Sequence, residues 1–363
     1  MSGTVHDLVA RRGILDHDIF FDHAGRIYFV LGHYQPADRI ISLLKYVPDK
    51  DGTWVHRITG KRYARSYWHQ GIDAFKDAEK LSSAPGQDDL APWHVDDPVF
   101  GTTFLEVPLD SIEDYLIPEL RLQEILEAPG EQLDDLERIV KSVVTAVLKN
   151  ARMPDLTAEE FGITGSILWR GHSDRSDINL NVYGLKNCTK LEGRLASLAK
   201  RHVMLSAGLT VEMKGFDDVP AIAVEREVSK VALKRKPKLK LKGFKPGIQI
   251  RWCLHQDELP MVYGTERYKE IGIKKVKVRI VDDTFTLFFP AMVRVEPIEG
   301  DKKIDRLLIY DSRFTRLFRN DDVVEITGLL QDIIGMGKRQ ILMGSKQHGT
   351  EERVVFLETG GKA

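Results

Sequence analysis

The stretch "TGSILWRGHSDRSDINLNVYG", Thr164–Gly184, decides how the chain is read. A Gly165–Ser166 bend is followed, after ten residues, by "DINLNV", in which polar and apolar residues alternate. Such alternation puts Ile178, Leu180 and Val182 on one face of a strand and Asp177 and Asn179 on the other. Two carboxylates at that spacing would share a metal ion, but the second position holds an amide. The alternative is an ordinary hairpin in which Asp177 and Asn179 cap turns.

The 363 residues suffice for two or three domains. With 29% charged and 42% hydrophobic residues, the composition is that of a soluble globular protein rather than a disordered one. No apolar run reaches the roughly 18 residues of a spanning helix, so no membrane partner is expected. The opening "MSGTVHDLVARRG" has no apolar signal core, which points to the cytoplasm. Cys188 and Cys253 are the two cysteines, too few for a disulfide framework or a cysteine zinc site. Charge is segregated: Gly86–Glu137 carries fifteen acidic residues against Arg121, and Glu225–Arg279 carries sixteen Lys/Arg against six Asp/Glu. The net charge of −1 hides that local field.

Residues 1–85 read as a β-rich module of short strands and tight turns, with "DHAGR" and "DKDG" as turn signals. "ADRIISLLKYV" (37–47) fits a short helix or a buried strand. Seven of eleven histidines fall within the first 94 residues, without ligand-like spacing. Basic and aromatic residues interleave at "GKRYARSYW" (60–68), which suits a polyanion contact or a solvated edge strand. Residues 86–270 form a helical lead-in and a central α/β domain. A helix capped by Asp110 and kinked or split at Pro118 is expected, then an amphipathic helix over 131–150 and a further helix near 189–202. In "KLKLKGFK", Lys238, Lys240 and Lys242 alternate with leucines, and "IKKVKVR" repeats the pattern with Lys275, Lys277 and Arg279. Residues 271–363 give five or six strands at short spacing, for which a small closed barrel is the natural solution. "RNDDVVEITGLLQ" resembles the strand entry of OB-fold barrels.

Transfer of a nucleotidyl group needs a backbone cradle for phosphate oxygens and carboxylates that hold Mg²⁺ across them. A Gly-Ser bend at a short helix start provides the first, because glycine admits close backbone approach. The motif "TGS" (164–166), the ten-residue spacer and "Asp177-Ile178-Asn179-Leu180" resemble the nucleotidyltransferases of the DNA polymerase beta superfamily. "NVYG" and the N-terminal "HDIFF…GRIYFVLGHYQPADRIISLLKYVP" are similar to archaeal predicted members of that group. The resemblance implies an α+β protein with a nucleotidyltransferase-like central domain. It also implies NTP as substrate, Mg²⁺ as cofactor and RNA, DNA or protein as acceptor. Gly165, Ser166 and Ile167 would contact phosphates, Asp177 and Asn179 would hold metal, and a third ligand would come from a later strand. "GIQIRWCL" (247–254) is the candidate strand, with Gln249 and Arg251 at its polar positions, and Glu212 is the strand-borne acid nearby. Asn179 carries no charge, so metal affinity and charge balance should fall. Two functions follow: a Mg²⁺-dependent nucleotidyltransferase using Asp177, Asn179 and Glu212, or a degenerate member that binds nucleotide or nucleic acid without turnover. For the latter the surface would be Lys234, Arg235, Lys236, Lys238, Lys240 and Lys242 with Lys275, Lys277 and Arg279.

Overall fold

The computed structural model describes residues 5–66, 88–200, 210–214, 231, 235, 238–242, 247–311, 314–344 and 352–360, with backbone alone for 88, 102–103, 196–200, 210–214 and 238–242. The fold is mixed α+β, built on three sheets, one of them partly ringed.

The chain opens with helix α1 (Val5–Arg12). The first sheet comprises β1 (Ile19–Asp22), β2 (Ile27–Val30), β3 (Arg39–Pro48), β4 (Trp54–Val55), β5 (Arg62–Arg65), β6 (His94–Asp97), β7 (Thr102–Pro108) and β8 (Ile112–Leu116). Its spine runs β4-β5-β3-β2-β1-β8, with β7 pairing β3 and β6 pairing β7. "RIISLLKYVP" is therefore a strand, and its Ile40 and Leu44 are fully buried. The sheet takes strands from both sides of residue 85. Asp110 caps no α-helix: Ile112–Leu116 is strand β8, and helix α2 (Pro118–Glu127) starts at the proline. Proline lacks an N–H and suits the first helical turn, so Pro118 begins the helix rather than kinking it.

Helix α3 (Asp135–Asn150) is capped by Asp134, whose side chain accepts the Glu137 N–H while Glu137 returns a bond to the Asp134 N–H. That reciprocal box fixes where the helix starts. The central sheet follows: β9 (Phe161–Thr164), β10 (Ile178–Tyr183), β11 (Thr210–Lys214), β12 (Lys238–Lys242) and β13 (Gly247–Cys253), in the order β11-β12-β13-β10-β9. Helix α4 (Leu185–Lys200) links β10 to β11. Strands β10 and β13 are parallel and β9 is antiparallel to β10. Ile178, Leu180 and Val182 of β10, Ile248 and Trp252 of β13, Val140 and Val144 of α3 and Leu191 of α4 share one apolar core. Each such buried side chain contributes roughly 1.5–3 kcal/mol. The opposite face of β10 and β13 is left polar.

The C-terminal strands are β14 (Tyr268–Phe285), β15 (Ala291–Glu299), β16 (Ile304–Ile309), β17 (Val323–Ile333), β18 (Lys338–Met343) and β19 (Arg353–Glu358). Strand β14 runs through Asp282 and Asp283 with register shifts and ends at Phe285. At 18 residues β14 is long enough to pair β15 along one half and β17 along the other. The ring β14-β15-β16-β18-β17 thus closes on β14, with β16 and β18 parallel and β19 attached to β17. Val276, Val278, Ile280, Leu307, Val324, Ile326 and Ile341 fill its interior. Closure of this kind removes unpaired strand edges.

Candidate functional site

The polar face of β10 and β13 is set by register. Asn179 stands opposite Gln249 and Asn181 opposite Arg251. Side chains of directly paired residues project from the same face of a sheet. Asp177 immediately precedes β10 and is exposed. Its Oδ1 accepts the Gly247 N–H at 3.1 Å, and its Oδ2 faces the Gln249 amide nitrogen at 3.4 Å. Arg251 in turn donates to Gln249 Oε1 at 2.6 Å. A polar chain therefore runs from Arg251 through Gln249 to Asp177.

The bend comes up against this chain. Gly165 has φ +70°, and a Cβ built on it would lie 2.9 Å from Asn179 Nδ2, so the left-handed turn and the close approach both call for glycine. Gly165–Ile167 forms one 3₁₀ turn rather than a longer helix. Gly165, Ser166 and Ile167 are all buried, with Ile167 in the apolar core beneath the sheet. These are the three residues expected to contact phosphates. Trp169 follows the bend. It is 1% exposed and packs 5.0 Å from the Tyr46 ring and 5.3 Å from Tyr63, both on the first sheet. Thr164 Oγ1 donates to the His17 carbonyl at 2.6 Å, and the Arg57 N–H to the Arg170 carbonyl at 2.8 Å.

Glu212 lies on the far side of the sheet order from β10. Its strand β11 is separated from β10 by β12 and β13. Glu212 stands opposite Lys240, which in turn stands opposite Gly247, the residue whose N–H meets Asp177. "GIQIRWCL" is the neighbouring strand, and the positions beside Asn179 and Asn181 hold an amide and a guanidinium. Magnesium wants several hard oxygen donors with carboxylate charge. Here one carboxylate already receives two hydrogen-bond contacts, flanked by Asn179, Gln249 and Arg251, so Asp177 and Asn179 do not fit a Mg²⁺ site and no step is derived through one.

The basic residues separate into three groups. Arg235 forms a two-pronged ion pair with fully buried Asp322 and lies 5.5 Å from the Phe356 ring, so it is a structural tie within the barrel. Lys275 pairs with Glu325 at 2.7 Å and Lys277 with Glu299 at 3.2 Å, and Arg279 stands opposite Glu296. The expected cationic face of β14 is therefore largely neutralised by acids on β15 and β17. Lys234 and Lys236 lie outside the described residues, as do the side chains of Lys238, Lys240, Lys242 and Glu212; the backbone sets Lys240 opposite Gly247.

Two basic residues of the first sheet sit on aromatic rings, Lys45 unremarked in the sequence and Arg65 within the basic and aromatic stretch 60–68. Lys45, on β3, lies with its ammonium 4.0 Å over the Phe29 ring. Burial, followed by the positive charges of Arg251 and Arg65, pulls its pKa down to about 7. Arg65, on β5, is exposed and stacks 4.9 Å from the Trp54 ring. The signals were a lysine interrupting the apolar run "RIISLLKYV" and an arginine inside "GKRYARSYW".

Two other places bear on function. Asp134, Glu137 and His172 bring ligand atoms within 4.8 Å of one another. His172 contacts Asp134 at 2.7 Å, Arg57 lies 3.3 Å from Asp134, and Arg121 pairs with Glu137. Burial would raise the Asp134 pKa, but His172, the Glu137 amide and Arg57 hold it well below the usual carboxylate range. Two guanidiniums balance the two carboxylates, so the group serves as the cap of α3 rather than as a cation site. On the barrel, a concavity of about 310 Å³ is lined by Phe285, Met292, Arg294, Arg306, Met336 and Lys338 among others. Its three cations are paired with Asp305 and Glu266.

No protein-family model matches the chain, and no solved structure matches it significantly. Among curated proteins it is similar to an uncharacterized protein of Methanocaldococcus jannaschii, with 21% identity over 216 residues, which cover 54% of this chain and 58% of that relative. The match thus spans somewhat over half the length of the relative. Among the described residues no helix is long and apolar enough to cross a membrane.

Proposed function

We propose that the protein is a degenerate member of the nucleotidyltransferase superfamily that binds a nucleotide or nucleic acid without transferring a nucleotidyl group. The β9–bend–β10 hairpin, the parallel strand β13 beside β10 and the helices packed on the opposite face support the central domain being nucleotidyltransferase-like. The ring order and the parallel β16–β18 pair support an OB-like reading of the C-terminal barrel. One observation carries the loss of transfer: the face that would supply metal ligands reads Asp177, Asn179, Gln249 and Arg251, one carboxylate beside two amides and a cation.

Incubating the full chain with labelled NTPs, Mg²⁺ or Mn²⁺ and mixed RNA and DNA tests this reading. The expected result is no incorporation, together with binding of nucleotide or nucleic acid that weakens as salt rises. Incorporation abolished by Asp177→Ala would establish an active transferase and overturn it.

A further inference from the structure

The concavity on the barrel sets polar groups with unused hydrogen-bonding capacity beside an apolar surface. It measures about 310 Å³, at the small end of ligand pockets, which run from roughly 300 to 1,000 Å³. That space suits one ring system rather than an extended chain. Strand register builds it: Arg294 of β15 stands opposite Arg306 of β16, and Ile333 of β17 stands opposite Lys338 of β18. Arg306 is fully engaged, donating to Gln340 Oε1 at 2.8 Å, to the Tyr268 hydroxyl at 3.0 Å and to both oxygens of Glu266. Asp305 is only half engaged. Its Oδ1 accepts from Arg294 at 2.9 Å and from Lys338 at 3.2 Å, while its Oδ2 has no hydrogen-bond partner among the described residues. Arg294 bonds through Nη2, so its Nε and Nη1 donors are unused among the described residues. Phe285, Met292, Ile333 and Met336 supply the apolar surface, with Met336 51% exposed.

The pocket's three cations, Arg294, Arg306 and Lys338, are matched by Glu266, Asp282 and Asp305, so its lining has no net charge to draw in a polyphosphate. An aliphatic anchor would take the charged groups out of water without pairing them. A flat heterocycle, apolar on its faces and polar at its edge, meets both halves of the lining. We propose that this pocket binds a guanine base. The N1–H and 2-amino group of guanine are adjacent donors for the free oxygen of Asp305, and O6, next to N1, is an acceptor for Arg294. Adenine offers the carboxylate one donor group fewer. The thioethers of Met292 and Met336 and the ring of Phe285 give the faces of the base polarizable surface to lie on. The inference rests on the nucleotide-binding reading above and names the base and the place that holds it.

Equilibrium dialysis of the full chain against labelled guanosine and GMP in EDTA, with IMP and AMP as competitors, tests the site. Guanosine and GMP should bind with comparable affinity, because the recognised part is the base. Asp305→Asn and Arg294→Gln, at positions whose side chains reach solvent, should each weaken GMP binding about tenfold. Asp305→Asn should also abolish the preference for GMP over IMP, which lacks the 2-amino group. Competition by AMP as strong as that by GMP would overturn the assignment of guanine. Unchanged GMP affinity in folded Asp305→Asn and Arg294→Gln would place the base elsewhere. Failure of guanosine and GMP to bind, with RNA or DNA still bound, would remove this site and leave the broader binding reading intact. Failure of every nucleotide and of RNA and DNA to bind would remove both.

Discussion

Gln249 stands opposite Asn179 on adjacent parallel strands, and its amide nitrogen lies 3.4 Å from the carboxylate of Asp177. The amide occupies ground where a metal-binding fold would put an oxygen anion. Because Arg251 holds the other end of the Gln249 amide, its nitrogen is directed at Asp177 and its oxygen is already in use.

Trp169 fastens the bend to the first sheet. Truncating a buried tryptophan costs roughly 3–5 kcal/mol, and Trp169 packs on Tyr46 and Tyr63 with 1% of its surface exposed. Trp169→Ala should lower stability by an amount in that range, measured by urea denaturation, with Trp169→Phe losing less. A change below about 1 kcal/mol would mean that the contact does not hold the two sheets together.

Glu106 sets a pH dependence. Its side chain is buried, pairs with Arg39 and lies near Asp97; burial first, and then Asp97, raise its pKa from 4.5 to about 7 against the opposing effect of Arg39. The folded protein then holds a proton that the unfolded chain releases between those values. Its contribution to stability is complete below pH 4.5 and is lost as pH climbs through about 7. Denaturation midpoints measured from pH 4.5 to 8 should therefore contain a falling component that Glu106→Gln removes. An unchanged slope in that variant would assign the pH dependence to other groups.

The extent to which this fold can be read from its sequence follows from how local each signal is. The amphipathic helix expected over 131–150 was legible from its apolar spacing, and it begins at Asp135 because Asp134 and Glu137 form its cap. The alternation of β14 likewise fixed which face Val276, Val278 and Ile280 would bury. Residues 110–127 were misread because an acidic, proline-containing stretch suits a capped helix locally, whereas pairing of Ile112–Leu116 with β1 is a long-range contact. The site was half legible. Asp177, Asn179 and the bend do lie on adjoining elements, and "GIQIRWCL" is the neighbouring strand. The packing of Trp169 could not be read, because Tyr46 and Tyr63, which cover it, come from more than a hundred residues away. Ion pairs hid the fate of the lysines for the same reason: Lys275 and Glu325 meet across two strands distant in sequence.

Electron paramagnetic resonance of Mn²⁺ titrated into the full chain tests the central claim most directly, with Asp177→Ala as the control for other acidic surfaces. The account predicts identical Mn²⁺ uptake by the natural chain and by Asp177→Ala, and additional bound Mn²⁺ once Asn179→Asp and Gln249→Asp are introduced together. A stoichiometric Mn²⁺ ion on the natural chain that Asp177→Ala releases would contradict it.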